Sequence, residues 1–325
     1  MFQRSVAQLP PGVVDYYFER AEKRRYLEQQ LRTAFREQGF AEVITPTFEY
    51  FDVFERGMRQ EVVNRSYRFF NRDGDLLALR ADSTCAVARL VATKLSTFSP
   101  PFRLFYINPV FRKEEPHAGK FSEFVQAGVE LIGRNNVESD FQILQTAIST
   151  LKAVGLPQFQ INLGHVEFVN SVLAEAPIAP KQRDHIRALL ADRRLPELEH
   201  FFDDLQLSHA LQDAILELAF LVGKDDIFER LRALSDQFSF APTVDYLQNL
   251  YAKLKSENLL SFVTFDLGNL RGMSYYTGIL FEIFTEGLGF PIASGGRYDH
   301  LLQKFGTDLP AVGFSFTLER LEAIL

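Results

Sequence analysis

Five residues in two short segments have the types and spacing needed to bind a small polar ligand. Arg112 and Glu114 lie two apart on one predicted strand, so their side chains share a face. On the next predicted strand Gln126 and Glu130 also share a face, and Gly128 between them leaves space there because it has no side chain. Charged and amide groups inside an apolar protein need partners. The pattern therefore indicates either a polar ligand lying on a sheet or an exposed sheet face with a structural ion pair.

Three further clusters could contribute to the same chemistry. Asp82 precedes a predicted helix, where it would either cap the helix or receive the ammonium group of a ligand. Segment 270–278 contains Arg271, a residue type that holds carboxylates or phosphates through paired hydrogen bonds, and tyrosines that can bind an imidazole or an amide. An ordinary turn before a strand is the alternative for that segment. The glycines of segment 294–299 allow close backbone approach.

The patterns that are missing argue against several enzyme classes. The chain has no GxxxxGK[ST] loop, no GxGxxG after a strand, no HExxH and no paired cysteines for zinc. Its 6 histidines are scattered, and its 1 cysteine, Cys85, is expected to be buried. We therefore expect no metal site and no cofactor.

Composition sets the size of the fold and the compartment. The 325 residues, 46% of them hydrophobic, can bury a large domain and a smaller one. The net charge of -7 argues weakly against nucleic acid, because non-specific binding draws on a basic surface. An apolar N-terminal signal segment and a run of about 20 apolar residues are both missing, so we expect a cytoplasmic protein that does not enter a membrane.

The elements that must position these residues are helices and strands in alternation. An apolar stripe of Leu27, Leu31, Ala34 and Phe35 predicts a helix that ends at Gly39. A second predicted helix covers 84–95. The predicted strands in the first half of the chain are 41–46, 76–80, 102–114 with a break near 108–109, 124–133 and 158–163. The strands 102–114 and 124–133 are expected to form a hairpin.

The second half of the chain changes character twice. Ser139 is expected to begin a helix, with Gln142 completing its capping box. Apolar residues recur at helical spacing through 171–258 without strands, and predicted strands resume at 262–265, 279–285 and 311–316. The order predicts an α+β fold in which residues 1–170 and 259–325 build an antiparallel sheet flanked by helices. Residues 171–258 would form an inserted all-helical subdomain.

Five segments, in their order along the chain, resemble the class II aminoacyl-tRNA synthetase core and in particular histidyl-tRNA synthetases. Segment 9–15 is similar to the N-terminal signature of that family, and the first helix with the strand ending at Pro46 resembles the dimer-forming motif 1. Segments 111–114 and 313–320 resemble motifs 2 and 3. Segment 270–276 resembles the signature that distinguishes histidyl enzymes. The resemblance covers essentially the whole chain and implies a class II synthetase-like sheet.

The resemblance also implies a histidine pocket. Asp82 stands where the family has a glutamate that holds the amino group, and Thr84 and Gln126 match positions near it. Glu130 and Tyr276 match positions that read the imidazole. The candidate histidine-binding residues are Asp82, Thr84, Arg112, Gln126, Glu130, Arg271, Tyr275, Tyr276 and Tyr298.

The nucleotide side departs from the family pattern. Glu115 and Ser122 stand where the family has arginines, and Thr317 replaces a glycine that floors the adenine site. Ser274 replaces the aspartate before the tyrosine pair. Losing cations removes charge that phosphoryl chemistry needs. We therefore expect no catalytic residue, although Arg320 and other arginines are kept.

The segment typical of a C-terminal anticodon-binding domain does not follow residue 320, so no tRNA is expected as a partner. Those features resemble the synthetase-like family of regulatory subunits of ATP phosphoribosyltransferase, the first enzyme of histidine biosynthesis. The resemblance implies an allosteric subunit without its own catalysis. It also implies a short-form catalytic subunit as partner in a hetero-octamer, L-histidine as effector, and a self-dimer through the motif 1 region. The alternative is an ATP-dependent ligase that activates histidine for an acceptor other than tRNA.

Overall fold

The computed structural model describes residues 8–114, 121–268, 270 and 275–325. Among these residues, nine strands form one large sheet and three short strands form a second sheet. The strands are β1 (Ala41–Glu42), β2 (Phe48–Tyr50), β3 (Arg68–Phe70), β4 (Leu76–Leu79), β5 (Phe102–Phe111), β6 (Glu123–Ile132), β7 (Gln160–His165), β8 (Val222–Gly223), β9 (Val263–Asp266), β10 (Ile279–Phe284), β11 (Ala293–Arg297) and β12 (Ala311–Thr317).

Twelve α-helices and two short 3-10 helices, at Leu260–Phe262 and Leu302–Phe305, surround the sheets in the described part of the chain. The α-helices are α1 (Phe18–Glu37), α2 (Phe51–Gly57), α3 (Gln60–Asn64), α4 (Ser83–Lys94), α5 (Val137–Ala153), α6 (Val166–Glu175), α7 (Pro180–Ala191), α8 (Leu195–Leu205), α9 (His209–Phe220), α10 (Ile227–Ser235), α11 (Ala241–Ser256) and α12 (Leu318–Glu322).

The large sheet has the order β1-β5-β6-β12-β11-β10-β7-β9-β8. Its pairs are antiparallel except β1 with β5 and β7 with β9, which are parallel. The small sheet has the order β2-β4-β3. A mainly antiparallel sheet flanked by helices confirms the predicted α+β class.

Helix α1 buries the stripe that its sequence predicted. Leu27, Leu31, Ala34 and Phe35 are all buried, and the Phe35 ring lies 5.5 Å from the Phe105 ring on β5. Burying a large apolar side chain of this kind stabilises a fold by about 1.5–3 kcal/mol. The periodic stripe therefore fixes α1 against one face of the large sheet.

The two faces of strand β6 have opposite chemistry. Val125, Val129 and Leu131 join the large apolar cluster that α1, α5 and the helices between β7 and β9 cover. Gln126 and Glu130 point to the other face, toward the start of α4. The alternation that the sequence predicted is confirmed, and it carries the polar residues to the side of the sheet where the candidate site lies.

Strands β5 and β6 form the expected antiparallel hairpin, but the expected break near 108–109 is wrong. Asn108 pairs with Gln126 and Pro109 with Val125 in one continuous ladder. Strand β1 pairs with β5 only at Leu104 and Phe105, so Pro109 lies on an unpaired edge where its missing N–H costs no ladder bond. Strand β5 also ends at Phe111, earlier than predicted.

The cap of α5 differs from the prediction. The helix begins at Val137, and Asn136 is its N-cap: the Asn136 side chain accepts a hydrogen bond from the Ser139 backbone N–H at 2.9 Å. Ser139 was expected to be the first residue of the capping box and is instead its last. The Asn136 side chain, three residues earlier, accepts the hydrogen bond of the free Ser139 N–H. Gln142 instead accepts a hydrogen bond from Arg103 at 2.8 Å.

Strand β11 and strands β2 and β3 of the small sheet were not predicted, whereas β4 (Leu76–Leu79) confirms the predicted strand 76–80. Glycine has low strand propensity, yet a Cβ on Gly295 would lie 2.4 Å from the Phe314 Cβ on the neighbouring strand β12. The close packing of β10, β11 and β12 therefore requires glycine at that position. Strands β2 and β3, three residues each, carry too little periodicity to be recognised.

The segment between β7 and β9 is helical, as expected, with one exception. Val222 and Gly223 form β8, which pairs with β9 at the edge of the large sheet, so the expectation that 171–258 lacks strands is wrong. A two-residue strand leaves no alternation in the sequence. Each helix among the described residues is either too short or too polar to cross a membrane.

Candidate functional site

A cavity of about 220 Å³ lies on the polar face of the large sheet, below the N-terminus of α4. Of the expected site residues, all that the structure describes line it. They are Asp82, Thr84, Arg112, Gln126, Glu130, Tyr275, Tyr276 and Tyr298. Arg271, Ser274 and Glu115 lie outside the described residues.

Glu130 is the most deeply buried of these side chains, with 1% of its surface exposed. Its Oε1 accepts hydrogen bonds from the Thr84 hydroxyl at 2.8 Å and the Tyr106 hydroxyl at 3.1 Å, and its Oε2 accepts one from the Tyr298 hydroxyl. Burial raises the pKa of Glu130 to about 8, although the three hydroxyls oppose that shift by stabilising the charged form.

Asp82 begins α4 and organises the polar end of the cavity. Its Oδ1 accepts a hydrogen bond from the Thr84 backbone N–H at 2.8 Å, so the predicted capping role is confirmed. Its Oδ2 accepts hydrogen bonds from Arg112 at 3.1 Å and from the Gln126 amide at 3.2 Å. The Gln126 amide oxygen accepts in turn from the Ser83 backbone N–H at 3.0 Å. The carboxylate therefore faces the cavity while holding the helix start against β6.

The space expected at Gly128 is not open. A Cβ there would lie 2.6 Å from the Tyr106 hydroxyl oxygen and 2.6 Å from the Phe314 carbonyl oxygen. Tyr106 pairs directly with Gly128 across the hairpin, and its ring occupies the place of the missing side chain. Gly128 thus admits a phenol that reaches Glu130, rather than a ligand.

Tyr106 is the functional residue that the sequence interpretation missed. It is buried, and burial raises its pKa well above the ordinary value. The available signal was its position: Tyr106 and Arg112 lie six residues apart on the predicted strand 102–114, where an even spacing puts both side chains on one face.

Glycines on β11 and β12 allow the close approach that the sequence suggested. A Cβ on Gly313 would lie 1.8 Å from the Glu130 Oε2, and one on Gly296 would lie 2.8 Å from the Tyr276 ring. Strand β12 pairs Gly313 with Glu130 in register. The two glycines therefore make room for a carboxylate and a phenol that bound the cavity.

Three tyrosines close the apolar end of the cavity. The Tyr275 ring stacks on the Tyr298 ring at 5.4 Å and meets the Tyr276 ring edge-on at 5.3 Å. Burial raises the pKa of each of the three phenols. These rings offer apolar faces together with neutral hydroxyls, a surface suited to a small ring with polar edges.

The opposite end of the cavity carries cations. Arg112 donates from Nε to the Ala81 carbonyl at 2.7 Å, and its guanidinium lies over the Phe124 ring at 5.2 Å. Arg320 donates to the Pro291 carbonyl and lies over the Phe290 ring at 4.7 Å. Burial lowers the pKa of both arginines from the ordinary value.

Ser122 and Thr317 are two of the positions where the sequence departs from the pattern of the histidyl-tRNA synthetase family. Ser122 is buried, and its backbone N–H donates to the Gly12 carbonyl at 2.7 Å. A Cβ on Gly12 would lie 2.6 Å from the Ser122 hydroxyl oxygen. The N-terminal segment thus packs closely against Ser122, while Thr317 lines the cavity wall.

Comparison with known proteins agrees with this geometry. The model of the histidyl-tRNA synthetase family matches residues 12–321. A protein of Thermoanaerobacter pseudethanolicus named ATP phosphoribosyltransferase regulatory subunit is 38% identical over 312 residues, which are 96% of this chain and 81% of that protein. A protein of the same name from Moorella thermoacetica is 40% identical over 314 residues, covering 97% and 81%.

Solved structures show the same similarity. An ATP phosphoribosyltransferase regulatory subunit/histidyl-tRNA synthetase from Bacillus halodurans matches with a TM-score of 0.90 and 30% identity, covering 99% of this chain and 84% of that one. A histidyl-tRNA synthetase from Nostoc matches with a TM-score of 0.84 and 22% identity, covering 99% and 76%, which supports the fold alone.

Proposed function

Because this chain belongs to the family of ATP phosphoribosyltransferase regulatory subunits, within the wider histidyl-tRNA synthetase family, we propose that it regulates that enzyme. It is the subunit that the short catalytic chain needs for activity and through which histidine feeds back on the first step of histidine biosynthesis. The single observation that carries the histidine part is the cavity around Glu130, where a buried carboxylate meets three hydroxyls and a tyrosine wall.

Histidine fits the two ends of this cavity by charge. Its ammonium group would pair with Asp82, whose Oδ2 already accepts two hydrogen bonds at the cavity surface. Its imidazole would lie between the tyrosine rings and donate to Glu130. Arg112, together with Arg271, would meet the carboxylate, since guanidinium groups bind carboxylates through paired hydrogen bonds.

The absence of catalysis is the second part of the proposal. The Gly12 segment covers Ser122, where family members that activate amino acids carry an arginine. Thr317 narrows the wall on which an adenine would lie. Without an arginine at position 122 the polyphosphate charge of ATP loses one of its partners, although Arg112 and Arg320 remain in the cavity.

Regulation follows from linkage between histidine binding and assembly. If histidine binds the inhibited assembly more tightly than the active one, its binding shifts the equilibrium by that difference in affinity. Tyr298 and Thr84 connect the cavity to β11 and to α4. Small movements of those elements are the route by which occupancy would reach the partner.

The partners in the proposal are the short catalytic subunit, a second copy of this chain in a cytoplasmic hetero-octamer, and no tRNA. Support for the self-dimer comes from apolar side chains exposed on β1, β2 and the segment between them: Ile44 is 83% exposed, and Phe48 and Tyr50 are more than half exposed. Exposed apolar clusters mark interaction surfaces. Sedimentation of Ile44→Asp beside the wild type tests this surface, and a dimer of unchanged affinity in the variant would contradict it.

The regulatory proposal is tested by titrating the short catalytic subunit with this protein and following phosphoribosyl-ATP formation, with and without histidine. The expected result is a saturable rise in rate that histidine suppresses. No change in rate, together with no co-purification, would overturn the proposal.

The non-catalytic proposal has a separate test. Histidine-dependent exchange of pyrophosphate into ATP measures adenylate formation directly, and the expected rate is that of a blank without protein. Exchange above the blank that disappears in Arg112→Gln would instead support the histidine-activating ligase.

A further inference from the structure

The Glu130 carboxylate lacks the cation that buried carboxylates normally have. In the part of the chain that the structure describes, its hydrogen-bond partners are the three hydroxyls of Thr84, Tyr106 and Tyr298, and no basic side chain forms an ion pair with it. An ionised carboxylate offers about four lone-pair sites. Three hydroxyls use three of them, and Glu130 lines the cavity, so a ligand there can take the fourth.

Three arginines, Arg59, Arg112 and Arg320, line the same cavity, but Glu130 receives hydrogen bonds from none of them in the described part of the chain. The other titratable groups around Glu130 carry no positive charge. They come from the start of α4, from β5, from the segment before β10 and from the residue after β11: Asp82, Cys85, Tyr106, Tyr275, Tyr276 and Tyr298. All are acids, so none offsets the cost of charging Glu130. Burial therefore raises the pKa of Glu130 to about 8, and the empty site holds a protonated Glu130 at neutral pH.

We propose that Glu130 and the imidazole of bound histidine share one proton, so that the pair binds as a carboxylate with an imidazolium. This inference rests on the proposed function, since histidine must bind here. The proton leaves a Glu130 oxygen and joins the free nitrogen of the ring, which then donates a hydrogen bond back to the same carboxylate. The ligand thus supplies a cation that the described residues do not place at Glu130, and an amino acid whose side chain has no basic group cannot do so.

The proposal fixes the sign of proton exchange with solution. Free imidazole has a pKa of about 6.5, below that of Glu130 in the empty site. Between those two pKa values, a protonated Glu130 meets a neutral ring and no proton is exchanged. At lower pH both partners are protonated, so binding releases one proton. At higher pH neither is, so binding takes one up. Affinity is therefore greatest between the two pKa values and falls about tenfold per pH unit on either side.

Calorimetric titration of the full chain with L-histidine, in pairs of buffers with different ionisation enthalpies, counts these protons. At about pH 5.5, 7 and 8.5 the wild type is expected to release nearly one proton, exchange almost none and take up most of one. The α-amino group of histidine also titrates on the alkaline side, so a reference is needed there.

Two variants isolate the contribution of Glu130. Glu130→Gln keeps the shape but cannot titrate, so the uptake at alkaline pH should fall to the share of the α-amino group. Tyr298→Phe removes one donor to the ionised carboxylate and should move the alkaline decline in affinity to higher pH. Circular dichroism and thermal melting show whether each variant is folded, and Tyr298→Phe keeps the test open if Glu130→Gln is not.

The outcomes are distinguishable. Uptake of nearly one proton at pH 7 would mean that Glu130 is already charged in the empty site, and alkaline uptake unchanged in Glu130→Gln would mean that another group binds the proton. Either result overturns the proton sharing while histidine binding stands. No heat of binding at any pH would overturn the proposed function and this inference together.

Discussion

Two neighbouring residues, Arg297 and Tyr298, reach two buried carboxylates on opposite sides of the large sheet. Arg297 donates to Asp140 on α5 at 2.5 Å, and the Tyr246 hydroxyl of α11 donates to the other oxygen of Asp140 at 2.6 Å. Tyr298 donates to Glu130. Among the described residues, Asp140 has a cation as partner and Glu130 has hydroxyls alone, although both carboxylates are almost completely buried.

The Arg297–Asp140 ion pair is a structural contact, whereas Glu130 belongs to the candidate site. Burial lowers the pKa of Arg297, but Asp140 and Asp299 outweigh it and hold that pKa above its ordinary value, so the guanidinium stays charged. Burial raises the pKa of Asp140, and Arg297 opposes that shift by stabilising the charged carboxylate. The pair joins α5, α11 and β11 and leaves nothing for a ligand to supply. In the described part of the chain, Glu130 has three hydroxyls and no cation as partners. Burial raises its pKa to about 8, so the carboxyl group is protonated at neutral pH. Of these two carboxylates, Glu130 lines the cavity and Asp140 does not.

The largest effect is expected on breaking the ion pair. Arg297→Met leaves Asp140 buried without a cation, which costs about 3–5 kcal/mol in the free energy of unfolding. Chemical denaturation measures it. The matched control is Arg194→Met, which removes an ion pair with Glu197 that is half exposed and should change stability by no more than about 1 kcal/mol. Equal losses in the two variants would remove the distinction between the buried and the exposed pair.

The opposite sign is expected at Glu130. Its pKa is raised from 4.5 to about 8 on folding, so the folded state binds more protons than the unfolded state between those values and wild-type stability falls as pH rises through that window. Glu130→Gln lacks this loss, so its stability relative to the wild type should rise by about 4–5 kcal/mol between pH 4 and a pH above 8. Denaturation curves at several pH values measure it, and a difference that does not change with pH would contradict the protonated Glu130.

A methyl group tests how tightly the site is built. Gly313→Ala would place a Cβ 1.8 Å from Glu130 Oε2 and 2.4 Å from the Val129 carbonyl oxygen, so strain of about 1–3 kcal/mol is expected with a loss of histidine affinity. Gly289→Ala is the control, since its Cβ would meet nothing within 4 Å. Thermal melts and calorimetry compare the two, and equal behaviour would mean that Glu130 has space to move.

The smallest effects separate two phenols that serve the two carboxylates. Tyr106→Phe and Tyr246→Phe each remove one hydrogen bond to a buried acid and should each cost about 0.5–1.5 kcal/mol. Only Tyr106→Phe should move the alkaline limb of histidine affinity, to higher pH, because it removes a donor to Glu130. A shift in Tyr246→Phe of the same size would show that the two sides of the sheet are coupled.

The sequence predicted the residues that alternate or repeat and missed the contacts made across the fold. Strand alternation placed Gln126 and Glu130 on one face, and the apolar stripe placed α1. Tyr106 was not predicted as a site residue because Gly128 was interpreted as open space. The register of the hairpin shows that the Tyr106 ring occupies the space beside Gly128. The pairing of Arg297 with Asp140 joins segments 157 residues apart, which no local pattern reveals. Strand β11 was not predicted because its glycines have low strand propensity. Close packing against β12 requires glycine at Gly295, and the sequence alone does not show that packing.

The most direct test of the central claim is the histidine inhibition curve of the reconstituted catalytic and regulatory assembly, with wild-type chain and with Glu130→Gln, each expressed relative to its own rate without histidine. The expected result is a half-inhibiting histidine concentration at least about tenfold higher for the variant, the equivalent of 1.4 kcal/mol. An inhibition curve that is the same for both chains would contradict the claim that histidine acts through the cavity around Glu130.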